Sequence, residues 1–130
     1  MTATTTVIGR GRLGSALAAA LDAGEPLGRG SDGAGAEVVL LCVPDAEIAT
    51  AAAAVAPGRL VGHCSGATTL APLAPHEAFS LHPLMTVPAD GAVFAGATCA
   101  IAGSTPRALE TARALAALSL IHISEPTRPY

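Results

Sequence analysis

The chain has 130 residues, a length that suits one domain with a real core. Hydrophobic residues make up 51% of the chain and aromatic residues only 2%, so the core depends on close contact between small side chains. The formal net charge of −3 argues against a nucleic-acid surface, which requires clustered cations.

The first predicted unit is a strand, a glycine-rich turn and a helix. Thr4 to Ile8 is a β-favouring run, and Leu13, Leu17 and Leu21 recur every four residues, as on one face of a helix. Gly24 is the expected residue just after the end of that helix. The turn between the strand and the helix reads Gly9, Arg10, Gly11, Arg12, Leu13 and Gly14.

This turn has the G-x-G-x-x-G spacing of a dinucleotide-binding βαβ unit. In such a unit the first glycine makes the tight turn, the second admits the pyrophosphate and the third allows the helix to pack on the strand. The helix N-terminus also offers free N–H groups to phosphate. The alternative is a glycine-rich surface turn without a ligand, since the chain contains 14 glycines.

The second βα unit of such a fold is shortened. Residues 25–36 contain five glycines or prolines, and at most Pro26-Leu27 is a strand remnant. The acidic residue that would hold the ribose 2′-hydroxyl has no clear candidate, and the slight preference for NADP over NAD depends on Arg29. Arg29 is near the position for a 2′-phosphate, although it is equally well explained as a solvated loop residue.

Strands and helices alternate through the rest of the chain. Strands are predicted at 37–43, 59–63, 78–81 and 98–102, a short helix around 70–73, and a loop without periodicity at 82–91. Asp45 is the expected N-cap of a helix from Ala46 to Val55, and Thr105-Pro106 opens another. The pattern predicts an α/β, Rossmann-like, doubly wound and mostly parallel sheet.

Candidate site residues follow the strand ends, where ligands bind in open α/β sheets. Val43, Pro44 and Asp45 are expected to line the cofactor crevice. His63 and His82 are candidate proton donors, with Ser65 offering a hydrogen bond nearby. The alternative for both histidines is that they hold loops by bonding to the backbone.

Other chemistries find little support in the same residues. His63, Cys64, His76 and His82 match no zinc spacing, so no metal site is expected. Cys64 has no assigned base, and Ser65 lacks the G-x-S-x-G elbow of hydrolases. The cysteines lie in apolar runs, as reduced thiols do in a cytoplasmic protein. The sequence has no leader and no membrane-spanning run, so we expect a cytoplasmic protein without membrane contact.

The last residues differ from the rest of the chain. Residues 118–128 read Leu-Ser-Leu-Ile-His-Ile-Ser-Glu-Pro-Thr-Arg, which resembles the translation of a transposase adapter used in sequencing libraries. We interpret residues 118–130 as a non-native tail and residues 1–117 as the native domain, which would have continued past Ala117.

Four segments in this order resemble a family of bacterial Rossmann-like proteins with a C-terminal helical domain of unknown function. The segments are Gly9 to Gly14, Leu40 to Asp45, His63 to Gly66, and Ser80 to Leu84. The family is related to pyrroline-carboxylate, ketopantoate and deazaflavin-dependent NADP reductases. The resemblance covers about residues 4–117 and not the helical domain.

The resemblance implies an NAD(P)-dependent oxidoreductase that acts on a small molecule and forms a homodimer through the absent helical domain. This piece is then expected to bind the cofactor with little or no turnover. The alternatives are a non-catalytic dinucleotide-binding or sensing module, and a chain that does not fold stably without the helical domain.

Overall fold

The computed structural model describes residues 4–33, 35–84, 98–118 and 122–123. These residues form one six-stranded sheet and three α-helices, with short 3₁₀ turns at Asp45–Glu47 and Ala71–Leu73. The strands are β1 (Thr5–Ile8), β2 (Val38–Leu41), β3 (Leu60–His63), β4 (Glu77–Pro83), β5 (Thr98–Gly103) and β6 (His122–Ile123). The helices are α1 (Arg12–Ala20), α2 (Ile48–Ala54) and α3 (Pro106–Leu118).

The sheet order is β1-β2-β3-β4-β5-β6, and every neighbouring pair is parallel except β4 with β5. Alternate strand residues point to opposite faces. Val7 and Leu40 pack with α1 and α3 on one face, whereas Ile8 and Leu41 pack with α2 on the other. The predicted α/β, Rossmann-like fold with a doubly wound, mostly parallel sheet is confirmed.

A strand remnant at Leu27 lies on the free side of β1. Leu27 forms a parallel bridge with Ile8. Its N–H donates to the Val7 carbonyl at 2.8 Å, and its carbonyl accepts from the Gly9 N–H at 2.8 Å. The shortened second unit therefore contributes one bridging residue, because the glycines that follow favour turns over a pleated strand.

Several predicted details were wrong. Asp45 does not cap a helix, because it opens a 3₁₀ turn and α2 begins only at Ile48. The helix near residue 70 is a single 3₁₀ turn, and His82 belongs to β4 rather than to a loop. Asp22, not Gly24, follows the end of α1 in the left-handed region, with φ of 51°.

Two expectations concern residues that the structure does not describe. Residues 85–91 of the predicted loop lie outside the described ranges, as does the tail from Ser119 onward except for β6. β6 pairs with Thr98 and Cys99 at the edge of the sheet. No helix in the described part of the chain has the length and apolarity to cross a membrane.

Candidate functional site

The glycine-rich turn between β1 and α1 is the most constrained backbone of the site. Gly9 has a φ of 120°, and an added Cβ there would overlap the Cys42 carbonyl oxygen and lie 2.8 Å from its carbon. A Cβ at Gly14 would overlap the Gly9 carbonyl oxygen and lie 2.9 Å from its carbon. A Cβ at Gly11 meets nothing within 4 Å.

The three glycines therefore differ in what requires them. Gly9 and Gly14 are required by packing inside the protein, Gly9 against β2 and Gly14 against the turn itself. Gly11 faces open space at the N-terminus of α1, where its absent side chain leaves room for a ligand to approach the backbone. This is the arrangement that a pyrophosphate requires at a dinucleotide-binding turn.

The N-terminus of α1 can bind an anion. Gly11 is the N-cap and provides no side-chain cap, and no acidic residue lies in the first turn. The first N–H groups of a helix lack intrahelical partners, and the helix dipole is positive at this end. Arg10 and Arg12 are exposed beside the turn and add positive charge, while the predicted residue Leu13 packs against the core.

Two arginines flank the end of the strand remnant. The Arg10 Nε–H donates to the Pro26 carbonyl at 3.2 Å, and an added Cβ at Gly28 would lie 3.3 Å from an Arg10 terminal nitrogen. Arg29 forms an ion pair with Glu47, with 2.6 Å between Nη1 and Oε1, and its side chain is 63% exposed. Its other N–H groups can therefore reach solvent or a ligand.

The segment after β2 lines the same edge of the sheet. Val43 is half-buried and packs against the α2 side of the core. Pro44 and Asp45 are exposed, and Asp45 is the first residue of the 3₁₀ turn rather than its N-cap. These residues offer the crevice an apolar wall and one free carboxylate.

His63 and Ser65 form a self-contained turn after β3. The Ser65 N–H donates to His63 Nδ1 at 3.0 Å, so His63 Nε2 carries the proton and donates to the Thr69 carbonyl at 2.9 Å. The Ser65 hydroxyl donates to Thr68 Oγ1 at 2.9 Å and accepts the Thr68 N–H at 3.0 Å. Both nitrogens of the buried His63 ring are thus used by the backbone.

His82, at the end of β4, has one ring nitrogen committed. Its Nδ1 lies 2.9 Å from the Cys64 carbonyl, which can only accept, so Nδ1 carries the proton. The rest of the ring lies against Gly66, where an added Cβ would be 2.6 Å from Nε2. Because Nδ1 is already hydrogen-bonded, Nε2 is the ring nitrogen available for proton transfer, and the ring is only half-buried.

Several contacts in this region were not predicted from the sequence. Thr68 and Thr69 complete the turn around His63 and Ser65, and the Cys42 and Cys64 sulfurs are 3.8 Å apart. The signal for the thiol pair was available, since each cysteine directly follows a buried strand and the two strands are neighbours in the fold. It required the strand register, which composition and spacing do not provide.

The side chains of His63, Cys64, His76 and His82 do not form a metal site. His76 Nε2 bonds to the Ala52 carbonyl of α2 at 2.8 Å. Within the described ranges, no three His, Cys, Asp or Glu side chains come together as metal ligands. The polar residues that do converge follow β1 to β4, whose carboxyl ends share one edge because these four strands are parallel.

Known proteins resemble this chain in fold and not in sequence. No protein-family profile and no curated protein sequence matches it. A Bacteroides fragilis protein described as an NADP oxidoreductase has a TM-score of 0.76 and 15% identity, covering 96% of this chain and 61% of its own. Synechocystis arogenate dehydrogenase has a TM-score of 0.71 and 20% identity, covering 95% and 59%.

A Myxococcus stipitatus imine reductase variant, solved in complex with NAD⁺, has a TM-score of 0.66 and 18% identity, covering 95% of this chain and 55% of its own. The chain therefore spans 55–61% of the length of these three structures. The TM-scores show that this chain shares the α/β, Rossmann-like fold of these structures, and at 15–20% identity the likeness shows the fold alone.

Proposed function

We propose that this chain is the NAD(P)-binding domain of an oxidoreductase that transfers hydride to or from a small molecule. The main support for the proposal is the contrast between the three glycines of the turn. Protein atoms occupy the space beside Gly9 and Gly14, whereas the space beside Gly11 is open to a ligand. Nicotinamide, when bound, supplies the hydride chemistry, and the protein supplies binding and orientation.

The phosphate-binding part of the proposal rests on the turn and its arginines. The open Gly11 backbone and the uncapped N-terminus of α1 fit a pyrophosphate. Arg10 and Arg12 supply positive charge at this place in a chain whose net charge is negative. The residues present therefore fit the group, with Val43, Pro44 and Asp45 along the adjacent wall.

A preference for NADP over NAD is supported by Arg29 and Arg10. Both lie at the end of the strand remnant, where the adenosine ribose binds in this fold. The acidic residue nearest to Arg29 in the structure, Glu47, is held in an ion pair with it. Arg29 keeps free N–H donors in this pair, and a 2′-phosphate is the ligand group that such donors bind well.

His82 is the residue we favour for proton transfer to the substrate. Its Nδ1–H is fixed by the Cys64 carbonyl, which orients Nε2 and sets the tautomer. His63 and Ser65 keep the turn beside it in place through their own bonds. In this proposal they are positioning residues rather than groups that touch the substrate.

Ligand-induced stabilisation tests the binding proposal. NADPH at about 100 times its Kd raises the free energy of unfolding by about 2.7 kcal/mol. In Gly11→Ala the added methyl occupies the open space, so the stabilisation by NADPH falls sharply while the ligand-free unfolding midpoint changes little. The absence of any midpoint shift with saturating NADPH or NADH in the wild type would overturn the proposal.

The cofactor preference has its own test. We expect Arg29→Gln to weaken NADPH binding by about 10-fold to 100-fold, because a charge-assisted hydrogen bond to the 2′-phosphate is lost. NADH binding should stay unchanged, because NADH has no 2′-phosphate. Arg113→Gln, which removes the same charge from the Glu110 pair on α3, leaves both affinities unchanged. Equal losses for NADPH and NADH in Arg29→Gln would contradict a 2′-phosphate contact.

The remaining parts of the proposal concern the protein as a whole. We propose that residues 1–117 bind the cofactor with little turnover, and that a protein containing the helical domain is a cytoplasmic homodimer. The competing function, a dinucleotide sensor without chemistry, is favoured by the occupied nitrogens of His63. Hydride transfer to any substrate by that longer protein would exclude the sensor.

A further inference from the structure

Two thiols meet at the ends of neighbouring parallel strands. Cys42 directly follows β2 and Cys64 directly follows β3, and their Sγ atoms are 3.8 Å apart. The register pairs Leu41 with His63, so the two cysteines occupy the next opposed positions. Opposed residues of adjacent strands have their side chains on the same face of the sheet.

The two thiols lie beneath the glycine-rich turn. Cys64 is buried in the core on the α1 side of the sheet, and the half-buried Cys42 packs against the same cluster. A Cβ added at Gly14 would be 3.3 Å from the Cys42 Cβ, and the Cys42 carbonyl closes the space at Gly9. Cys42 therefore contacts both glycines that shape the turn.

We propose that Cys42 and Cys64 are a redox modification site, a dithiol that an oxidant of the disulfide or diazene class converts into an intramolecular disulfide. A disulfide has an S–S length of about 2.05 Å, so the sulfurs must approach by about 1.8 Å. Neighbouring strands lie about 4.8 Å apart, within the range of Cα separations that disulfides span. Side-chain rotation can therefore close most of the gap.

The reaction with a small disulfide is a double exchange. The Cys42 thiolate attacks one sulfur of the small disulfide, forms a mixed disulfide and releases one small thiolate. Cys64 then gives its proton to solvent and attacks Cys42 Sγ, which expels the second small thiolate. The two protein thiols are oxidised and the small disulfide is reduced to two thiols. With a diazene, the Cys42 thiol adds across the N=N bond, and attack by Cys64 on Cys42 Sγ expels the hydrazine, which carries both hydrogens away.

The surroundings of the two sulfurs set this order. Cys42 is the more exposed thiol and is the one an oxidant reaches first. The hydrogen bond with Cys42 and then burial raise the pKa of Cys64, so Cys64 stays a thiol until Cys42 has reacted. Cys99 is buried in the same core cluster but lies on β5, with β4 between it and β3, and burial alone raises its pKa.

The disulfide would alter the floor of the proposed phosphate-binding turn. Drawing Cys42 toward Cys64 shifts the residue directly after β2, whose carbonyl closes the space at Gly9 and whose Cβ lies next to Gly14. We expect oxidation to weaken NADPH binding several-fold. This consequence rests on the proposed function, whereas formation of the disulfide does not.

The test counts thiols in the folded protein. After excess diamide, and separately oxidised glutathione, the protein is denatured, alkylated and digested for mass spectrometry. We expect the loss of two hydrogen atoms, one alkylated cysteine (Cys99) and a cross-linked peptide joining Cys42 to Cys64. Cys99→Ala gives the same cross-link, and Cys42→Ser gives none.

Three alkylated cysteines after excess oxidant, or a cross-link that contains Cys99, would overturn the proposal. The midpoint shift with NADPH is then compared between the oxidised and reduced proteins, with Cys42→Ser treated in the same way. A smaller shift in the oxidised wild type alone supports the regulatory consequence, and equal shifts refute it. A cross-link without any NADPH shift in either state supports the modification site and counts against the proposed function.

Discussion

Among single residues, Glu77 has the most clearly defined electrostatic role. It lies at the start of β4 and accepts a hydrogen bond from the Thr105 hydroxyl and another from Arg107 Nη2 at 2.9 Å. The Thr105 bond first and the Arg107 contact second lower the pKa of Glu77. Thr105 also accepts the Ala108 N–H at 3.0 Å, so Glu77 anchors the N-terminus of α3 to the sheet.

This arrangement predicts a pH-dependent contribution to stability. A carboxylate whose pKa is lowered by folding stabilises the protein above its unfolded-state pKa, and the contribution is lost as the pH falls through the folded-state value. Glu77→Gln should therefore lower the free energy of unfolding by about 0.5 to 1 kcal/mol at neutral pH. The difference from wild type should shrink once the pH falls below about 4.

Urea unfolding at neutral pH and again in acid measures the difference. Glu110→Gln is the matched control, because the Glu110 carboxylate is 75% exposed and lies 3.4 Å from Arg113. The control should change stability little at either pH. A Glu77→Gln effect of equal size at both pH values would mean that the carboxylate charge is not what stabilises the protein.

For the site residues, the sequence predicts positions but not which polar atoms are available. The types and positions of His63, Ser65 and His82 suggested polar groups at strand ends, and the structure has them there. Which ring nitrogens are available depends on the turn that Ser65 makes with Thr68 and on the fit of His82 against Gly66. Those contacts are set by backbone direction, which residue spacing does not encode.

At the scale of elements, the end of α1 is closed by a Schellman motif. The Ala23 N–H donates to the Ala18 carbonyl at 2.9 Å and the Asp22 N–H to the Ala19 carbonyl at 3.2 Å. Asp22 therefore occupies the left-handed position, with φ of 51°. Gly24 was predicted there, but the left-handed position lies two residues earlier than the glycine, because the last helical hydrogen bond is donated by the Leu21 N–H.

Asp22→Gly should therefore stabilise the protein. The left-handed conformation costs an L-residue roughly 1 to 2 kcal/mol, and the extra freedom of glycine in the unfolded chain returns roughly 0.5 to 1 kcal/mol. A net gain of about 0.5 to 1 kcal/mol in urea unfolding is expected. Asp22→Ala keeps the strain and loses the carboxylate, so a gain of the same size in this control would contradict the backbone explanation.

Phe79 on β4 faces a glycine on each neighbouring strand. The register pairs it with Gly62 on β3 and with Gly103 on β5, and the ring is fully buried. A Cβ at Gly62 would overlap the ring and lie 2.6 Å from its Cδ2 atom. The Phe79 ring fills the space that Gly62 leaves, whereas Leu109 of α3 closes the space at Gly103.

We expect Phe79→Ala to cost about 3 to 5 kcal/mol and Phe79→Leu clearly less, because leucine keeps most of the buried apolar volume. Gly62→Ala should cost about 1 to 3 kcal/mol by overpacking. In the Phe79→Leu background the same change should cost less, since the ring is gone. Additive losses in this double-mutant cycle would show that Gly62 is needed for another reason.

The strands were predictable because burial on both faces produces continuous apolar runs, as in Val38–Leu41. The start of α2 was not predictable in the same way. Asp45 has the side chain of an N-cap, yet the chain first makes a 3₁₀ turn and the helix begins at Ile48, the first buried residue of the segment. Tertiary packing, not the cap, decides where this short helix begins.

At the scale of the whole molecule, the parallel topology assembles the site. Segments that are far apart in the sequence, from Gly9 to His82, meet because β1 to β4 all end at one edge. Their convergence could be predicted once a doubly wound sheet was inferred, since ligand sites in such sheets follow the carboxyl ends of strands. The strand order and the position of Leu27 required the structure.

The end of the chain contributes little to the described core. Within α3, the last buried side chain is Ala116, whereas Ala117 and Leu118 at its end are exposed. β6 adds only two paired residues at the sheet edge. A chain of residues 1–117 should therefore unfold cooperatively, within about 1 kcal/mol of the full chain, because the described contacts that it loses are those of Leu118 and of β6 with the edge strand β5 and with α3.

Thermal and urea unfolding of the two chains, followed by circular dichroism, measure the difference. A chain of residues 1–105, which lacks α3, is the matched control and should lose the cooperative transition. The reason is that Ala108, Ala112 and Leu115 contribute to the core on the α1 side of the sheet. If residues 1–117 show no cooperative transition while the full chain does, residues 118–130 are part of the folded unit and cannot be a non-native tail. If neither chain shows one, the sheet requires a covering domain, and the expectation of independent folding fails.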